Sequence, residues 1–457
     1  MNIIIATSKI SSIILTVVLL AGTFVAVYPS FIIGIQAQAE YEKSYEYNNN
    51  DNYNYNSEYS SSEYPLTEYE TDRYNPAEYS SSSSSSYEYP KSYYDSYQKN
   101  DYYNYPPTEN SRPADIVVPI DFPTIQEAID AANDGDVIKI LSSTYTEQIT
   151  ISKDLSIIGS GSKSTIIEAP PLEELEPNVI GLPYIVEVNN EAEVTMEGFT
   201  IKGPQGTECG QLIGISVIED GTINLKSSVI KECTLNSVAV GFEGAGHATI
   251  IKTSITDYRD HGVFATGPNT TLTMSYNKVV GSAPDVVGIN GILFARNATG
   301  TITNNEVTEN ICEIPDTCGP DWFTQIQAFG IVADNAGEGS VIANNYVTNN
   351  DAGISVAVKS GCCIVEQNTL KDNRFFGIVI EDSEQIISNT KIVGGNVGAA
   401  ATANFDNTTA ILDHVKIIGT ETPIQALSSG NLTAAVNVLS PSVFLPWVAI
   451  PYYSFLF

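Results

Sequence analysis

Arg259, Asp260 and His261 stand side by side directly before Gly262, and the trio holds residue types suited to proton transfer. Histidine titrates near neutrality, so His261 with Asp260 forms a candidate acid/base pair. Similar polar positions recur before other small residues: Gln327 before Gly330, Asn350 before Gly353 and Arg374 before Gly377. Counted back from the glycine, Arg259, Gln327, Asn350 and Arg374 fall in one column, and Asp260 and Asp351 in the next. The longest insertion, 310–326, carries Trp322 with Cys312 and Cys318 and is expected to overhang those columns. A row of planar donors and carboxylates beside an aromatic ring is a common way to hold sugar hydroxyls. On this reading Gln327, Asn350, Asp351 and Trp322 are ligand-binding candidates, and Arg259, Asp260, His261 and Arg374 are the catalytic candidates. The competing reading is a polar turn face with a satisfied histidine and a tryptophan packed over the edge of the fold. Convergence of Arg259, His261 and Arg374 on one groove would favour catalysis, whereas splayed side chains or ion pairs would argue against it.

Other chemistry is thin. The three histidines, His247, His261 and His414, fall at no ligand-like spacing from the six cysteines, so a zinc site is not expected. An even cysteine count in an exported chain points to disulfides. Cys312 and Cys318 are close enough to staple one loop, and Cys209 and Cys233 lie about one repeat apart. The adjacent Cys362 and Cys363 fit no simple scheme, because a vicinal bond is strained. Asn269, Asn297, Asn407 and Asn431 each open an Asn-x-Ser/Thr sequon and are candidate glycosylation positions.

The formal charge is −33. Lys9 and residues 40–113, with 14 acidic and 5 basic side chains, account for −8, which leaves −25 on residues 114–457. A body this acidic repels nucleic acid and anionic membrane, so neither is expected as a partner of the folded part.

These residues need a scaffold, and the chain divides into four parts. Residues 1–39 hold an apolar run, Ile10 to Val27, after a single lysine, and end in Ala37-Gln38-Ala39, the small-x-small form of a cleavage site. This is expected to be a signal peptide or an uncleaved membrane anchor, and either places the body at the cell surface or outside the cell. Residues 40–113 collapse to Tyr, Ser, Asn, Glu and Asp, with 18 of the 26 tyrosines, and predict a disordered stalk. Residues 114–435 hold the folded body. Residues 436–457 are almost wholly apolar, but Pro441, Pro446 and Pro451 argue for a capping tail over a spanning helix.

The body opens with helical spacing over Ile125 to Ala132, N-capped by Thr124, and continues in short alternating strands. A small residue followed by apolar alternation then recurs at Gly214, Gly262, Gly291, Gly330, Gly353 and Gly377. An asparagine precedes a second strand at Asn277, Asn305, Asn345 and Asn368, with Phe199, Ser227, Thr253, Thr390 and Val415 in that place elsewhere. The period, usually 21 to 29 residues, predicts an all-β right-handed parallel β-helix in which like stacks on like. The asparagines are expected to take left-handed turn angles and to bond amide to amide along the stack.

The stretch from Asp121 to Ile167, DFPTIQEAIDAANDGDVIKI followed by YTEQITISKDLSIIGSGSKSTII, resembles the opening of pectin methylesterases and other pectin-lyase-fold proteins. The later repeats resemble generic parallel β-helix repeats, including those of the NosD family. The resemblance covers roughly Asp121 to Thr433 and implies the fold, with a helix capping the solenoid; it implies no single activity. Segments such as GTVDFIFG or LGRPW of the methylesterases, and NTDG or GHG of the family-28 hydrolases, are absent. Lyases of this fold use an Arg or Lys base with calcium held against a uronate, and calcium is the sole cofactor role left open, with no residues assigned to it. The expectation is a non-catalytic exported surface protein that binds glycans or envelope components and touches membrane only through its N-terminal segment. The alternatives are a polysaccharide lyase or epimerase centred on Arg259 to His261, and a purely structural envelope glycoprotein.

Overall fold

The computed structural model describes residues 115–204, 211–232, 234–242, 244–281, 289–357, 362–403, 408–427 and 432–437. The expected signal or anchor, the stalk, the tail beyond 437, Cys209, Cys233, Asn407 and Asn431 lie outside the described residues.

The body is a right-handed parallel β-solenoid. After two opening strands of sheet A, Ile116–Val118 and Asp136–Ile140, the chain visits the three sheets in rotation, so each coil adds one strand to each. Sheet A has 13 strands, from Ile116–Val118 to Leu432–Asn437. Sheet B has 11 strands, from Ser143–Thr146 to Lys416–Ile418, and sheet C has 11, from Ile149–Ile151 to Thr422–Ala426. Every strand-to-strand pairing in the three sheets is parallel, for example Val263 beside Ile292 and Ile292 beside Ile331. The interior is one continuous aliphatic core running the length of the stack, with Ile157, Met196, Leu225, Ile250, Met274 and Ile302 in one column.

Helix Ile125–Ala131 buries Ile125, Ala128 and Ile129 and touches the first strands of sheets A and C. Both of its ends are satisfied by side chains. Thr124 Oγ1 accepts from Glu127 N at 3.2 Å, and the Glu147 carboxylate accepts from Ile125 N and Gln126 N at 2.9–3.0 Å. Lys153 Nζ donates to the carbonyls of Ile129, Asp130 and Ala132. Anion at the first turn and cation at the last complement the helix dipole.

The turn between sheets A and B carries the asparagine stack. Each amide Nδ2 donates to the Oδ1 one coil on: Asn277 to Asn305 at 3.0 Å, Asn305 to Asn345 at 3.1 Å and Asn345 to Asn368 at 3.1 Å. Each Oδ1 also accepts the backbone N–H of the preceding asparagine. Two details differ from expectation. The left-handed residue is the one before each asparagine (Tyr276, Asn304, Asn344 and Gln367, with φ of 57° to 58°), so the ladder residue itself keeps an ordinary backbone. In the earlier coil the ladder position is Ser228, whose Oγ accepts from Phe199 N; Ser227 is the left-handed residue. A second ladder, not foreseen, lines the turn between sheets B and C: Tyr258 Oη donates to Asn310 Oδ1, Asn310 Nδ2 to Asn350 and Asn350 Nδ2 to Asn373.

The recurring glycines of sheet C face inward, and their requirement is close approach. A Cβ on Gly262 would sit 2.5 Å from the carbonyl oxygen of Gly291, and one on Gly291 2.6 Å from that of Gly330.

Asn345 makes four amide bonds in the middle of the first ladder. Replacing it by leucine takes partners from buried groups on three residues, Asn305, Ile302 and Asn368, each unsatisfied group costing about 1–3 kcal/mol. Denaturant unfolding of Asn345→Leu is expected to show a loss of at least about 3 kcal/mol. A loss under about 1 kcal/mol would show that the ladder follows the fold without stabilising it.

Candidate functional site

In sheet C, Val263 and Ala265 point into the core and Phe264 outward. His261 lies outward too, its ring against that of Phe264, and its column mates Tyr184, Ile213, Ala352 and Phe376 pack in clusters separate from the core. The outward column through His261 reads, in register, Tyr184, Ile213, Asn236, His261, Asn290, Phe329, Ala352, Phe376 and Val397. Its middle is polar and its far half apolar, with rings at Phe329 and Phe376. Asn236 and Asn290 carry no mark in the sequence, because only the register reveals that they flank His261.

A β-bulge delivers the histidine. Tyr258 pairs with Thr234 and His261 with Asn236, so Arg259 and Asp260 together oppose the single residue Leu235. Bulges re-aim side chains, and here the extra residue puts Arg259 and Asp260 at the margin of the column. His261 Nδ1 lies 3.3 Å from Asn290 Nδ2 and 3.6 Å from Asp260 Oδ1. With the amide donating, the ring proton sits on Nε2, which has no partner among the described residues. The ring meets Phe264 edge to face at 5.0 Å, and Phe264 meets Phe242 likewise at 4.9 Å. Arg259 is half-buried and makes no hydrogen bond or ion pair among the described residues. Asn236, only 3% exposed, leaves its Oδ1 without a hydrogen-bond partner.

The other candidates serve a different purpose. Counting back from glycine fails because an extra residue enters before Phe376, so Asn350 stacks on Asn373 and is not level with Arg374. Asn350 is fully buried in the second ladder and closed to a ligand. Asp351 is fully buried as well; its Oδ2 accepts from Cys312 N and Ala328 N, and its Oδ1 from Arg374 Nε at 2.7 Å. Burial pushes the Asp351 carboxyl above its ordinary range, against the pull of those donors. Arg374 adds a salt bridge to Glu313 and donates to the carbonyl of Cys312. Gln327 Nε2 donates to the carbonyls of Gly319, Asp321 and Gln325. Together these residues anchor the long insertion, which the Cys312–Cys318 disulfide closes. Cys362 and Cys363 are joined too. Trp322 rests edge to face on Phe329 at 6.0 Å and on Phe376 at 5.6 Å. Arg374 is four strands from Arg259, about 19 Å at the usual strand spacing, so the two arginines do not share a site. The sequons at Asn269 and Asn297 sit on exposed turns.

A buried carboxyl lies three strands from His261. Glu187, 4% exposed, faces outward beneath the segment 172–183, which Gln148 clamps through Glu176 and Tyr184 and Asn178 ties to Ser216. Glu187 Oε1 accepts from Asn189 Nδ2 at 3.1 Å, while Oε2 has no hydrogen-bond partner. Burial, with Glu219 adding repulsion, holds the carboxyl above its ordinary range against the pull of the neighbouring Asn189, Ser216 and Asn178 side chains.

Residues 288–415 match the family described as right handed beta helix region. No curated protein matches the chain in sequence. Among solved structures, the A-module of mannuronan C-5 epimerase AlgE6 from Azotobacter vinelandii is similar at 15% identity and a TM-score of 0.37, over 69% of this chain and 94% of that one. A point mutant of the periplasmic alginate epimerase AlgG is similar at 14% and 0.37, over 67% and 76%. A mutant pectin methylesterase in complex with a hexasaccharide is similar at 12% and 0.30, over 62% and 80%. At these values the likenesses assign no activity to the chain.

Two outcomes test this account. Asp351→Ala removes the acceptor from two backbone donors and an arginine and is expected to cost about 3 kcal/mol in denaturant unfolding; an unchanged midpoint would show that the insertion is held otherwise. Glu187 has a raised folded pKa, so its stabilisation is complete below the unfolded value and is lost as pH rises through the folded one. Thermal midpoints of Glu187→Gln and wild type are therefore expected to diverge in favour of the glutamine variant as pH rises above about 4. A pH-independent difference would refute the assignment.

Proposed function

We propose that this is an exported cell-surface β-helix protein that binds carbohydrate on the outward face of sheet C without transforming it. The observation that carries the reading is the in-register run Asn236, His261, Asn290 and Phe329, with Trp322 resting on Phe329 at 6.0 Å. Sugars present hydroxyls on their edges and C–H groups on their faces, so they suit a polar row continued by aromatic rings. His261 Nε2 supplies a donor, Asp260 supplies acceptor oxygens, and Phe264, Leu293 and Phe329 supply apolar surface. Export rests on the apolar N-terminal run and the Ala37-Gln38-Ala39 sequence.

One observation favours a second reading. The 3.6 Å approach of His261 Nδ1 to Asp260 Oδ1 is the arrangement of an oriented acid/base pair, which a lyase or epimerase would require. Arg374, the other cation considered for such a reaction, is held in the ion pairs of the insertion. Binding without chemistry therefore accounts for more of the site.

The test is retention on a panel of immobilised polysaccharides, followed by mass spectrometry of the soluble products. At least one glycan is expected to retain the wild-type protein, with His261→Ala and Asn290→Ala each weakening retention about tenfold, equivalent to about 1.4 kcal/mol. Unsaturated or epimerised products would replace the binding reading with the catalytic one. Failure to retain any glycan would remove both.

A further inference from the structure

Granting that the column around His261 holds carbohydrate, we infer that its ligand is a neutral, hydroxyl-rich glycan and not a polyuronate. Besides the donors His261 Nε2 and Arg259, the column presents acceptor oxygens that the chain leaves open. Asn236 Oδ1 is a shielded acceptor with no hydrogen-bond partner on the outward face, directly beside His261. Asp260 stands at the margin of the same column, 40% exposed, with His261 as its near neighbour. Asn236 Oδ1 lacks an O–H or N–H partner among the described residues, and Asp260 has only the His261 ring at 3.6 Å. A sugar hydroxyl provides such a partner, replacing any water held there in the free protein. A uronate carboxylate, ionised at neutral pH, has no hydrogen to give and would add a negative charge beside Asp260.

The charges point the same way. A polyuronate brings one carboxylate per sugar, and the polar stretch of the column offers a single arginine, Arg259. Arg374 is about 19 Å away by strand spacing and is engaged by Asp351 at 2.5 Å and Glu313 at 3.2 Å. Residues 114–457 carry −25, so a polyanion meets a repulsive field before it reaches the column. Calcium could bridge two sets of carboxylates, but among the described residues no three His, Cys, Asp or Glu side chains are grouped to hold a metal ion. The rest of the lining is apolar: Phe264 and Leu293 alongside, Phe329 at the end. Such a floor fits the C–H face of a neutral pyranose.

The test is affinity electrophoresis of the full chain through gels containing dextran, mannan, alginate or polygalacturonate, at low and high salt, with and without calcium. A neutral polysaccharide is expected to retard the wild-type protein equally at both salt concentrations, and the two uronates are expected not to. Asn236→Leu is expected to lose the retardation at least tenfold while its circular dichroism stays that of the wild type; His261→Gln, a smaller change, guards against misfolding of the first variant. Retardation by alginate or polygalacturonate equal to that by a neutral glycan overturns the inference and leaves carbohydrate binding standing. Unaltered retardation of a folded Asn236→Leu also overturns it. No retardation in any gel defeats the glycan-binding reading itself.

Discussion

Leaving the amide of a buried asparagine unbonded is costly, and this parallel solenoid meets the demand chiefly by offering another amide at the same place on the next coil. Asn277, Asn305, Asn345 and Asn368 do this between sheets A and B, and Asn310, Asn350 and Asn373 between sheets B and C. Each bond fixes the axial register of one coil on its neighbour. A slip of one residue would bury an unbonded amide and turn the alternating core residues outward together. The ladders thus hold the strands level, and only level strands give outward columns in which residues far apart in sequence stand a strand spacing apart. Asn236, His261 and Asn290 are neighbours because of that register, and for no local reason.

A strict register dictates where insertions go. Extra residues cannot enter a strand without shifting it, so they leave at the turns and fold across the outside. The 310–326 insertion does so, and much of the chain's buried polarity ties that segment down: Asp351, Arg374 and Gln327 all bond to it. The segment 172–183 is held by the same means through Gln148 and Asn178. Polar residues that look like a ligand row in the sequence are therefore often the moorings of such segments. What separates moorings from a site is satisfaction. Asp351 and Gln327 have their bonds within the chain, whereas Asn236 Oδ1 and His261 Nε2 do not.

The solenoid, the glycine strands, the Asn277 ladder and the Thr124 cap are legible in the sequence, because each depends on a repeat or on local chemistry. The errors of a sequence reading trace to register. Such a reading sets Ser227 in the ladder one residue before the true position, Ser228, because the left-handed turn residue and the ladder residue are adjacent polar neighbours. It levels Asn350 with Arg374 by counting from glycine, a rule that one extra residue before Phe376 defeats. The same kind of irregularity, the bulge at Arg259 and Asp260, leaves His261 in its column while moving its neighbours to the margin. His261 stands out because histidine is rare in this chain; Asn236 and Asn290 do not, because asparagine is common.

The distribution of unsatisfied groups argues that the outward face of sheet C was shaped by something other than stability. A fold whose ladders satisfy most buried amides has the means to satisfy Asn236 too, since a threonine or serine hydroxyl one coil away could donate to its Oδ1. Instead its neighbours in the column are Ile213 on one side and His261 on the other, and neither bonds its Oδ1. Glu187 repeats the pattern farther along the same face, with an unbonded carboxyl oxygen on the strand beside Ser216 and no salt bridge among the described residues. Unbonded buried oxygens also occur elsewhere, at Ser383, Gln385 and Thr420, but none of those three stands, as Asn236 does, in register beside the His261 ring. On that ground, Asn236 with His261 suits the proposed glycan surface better than the larger network around Asp351, whose bonding is already complete.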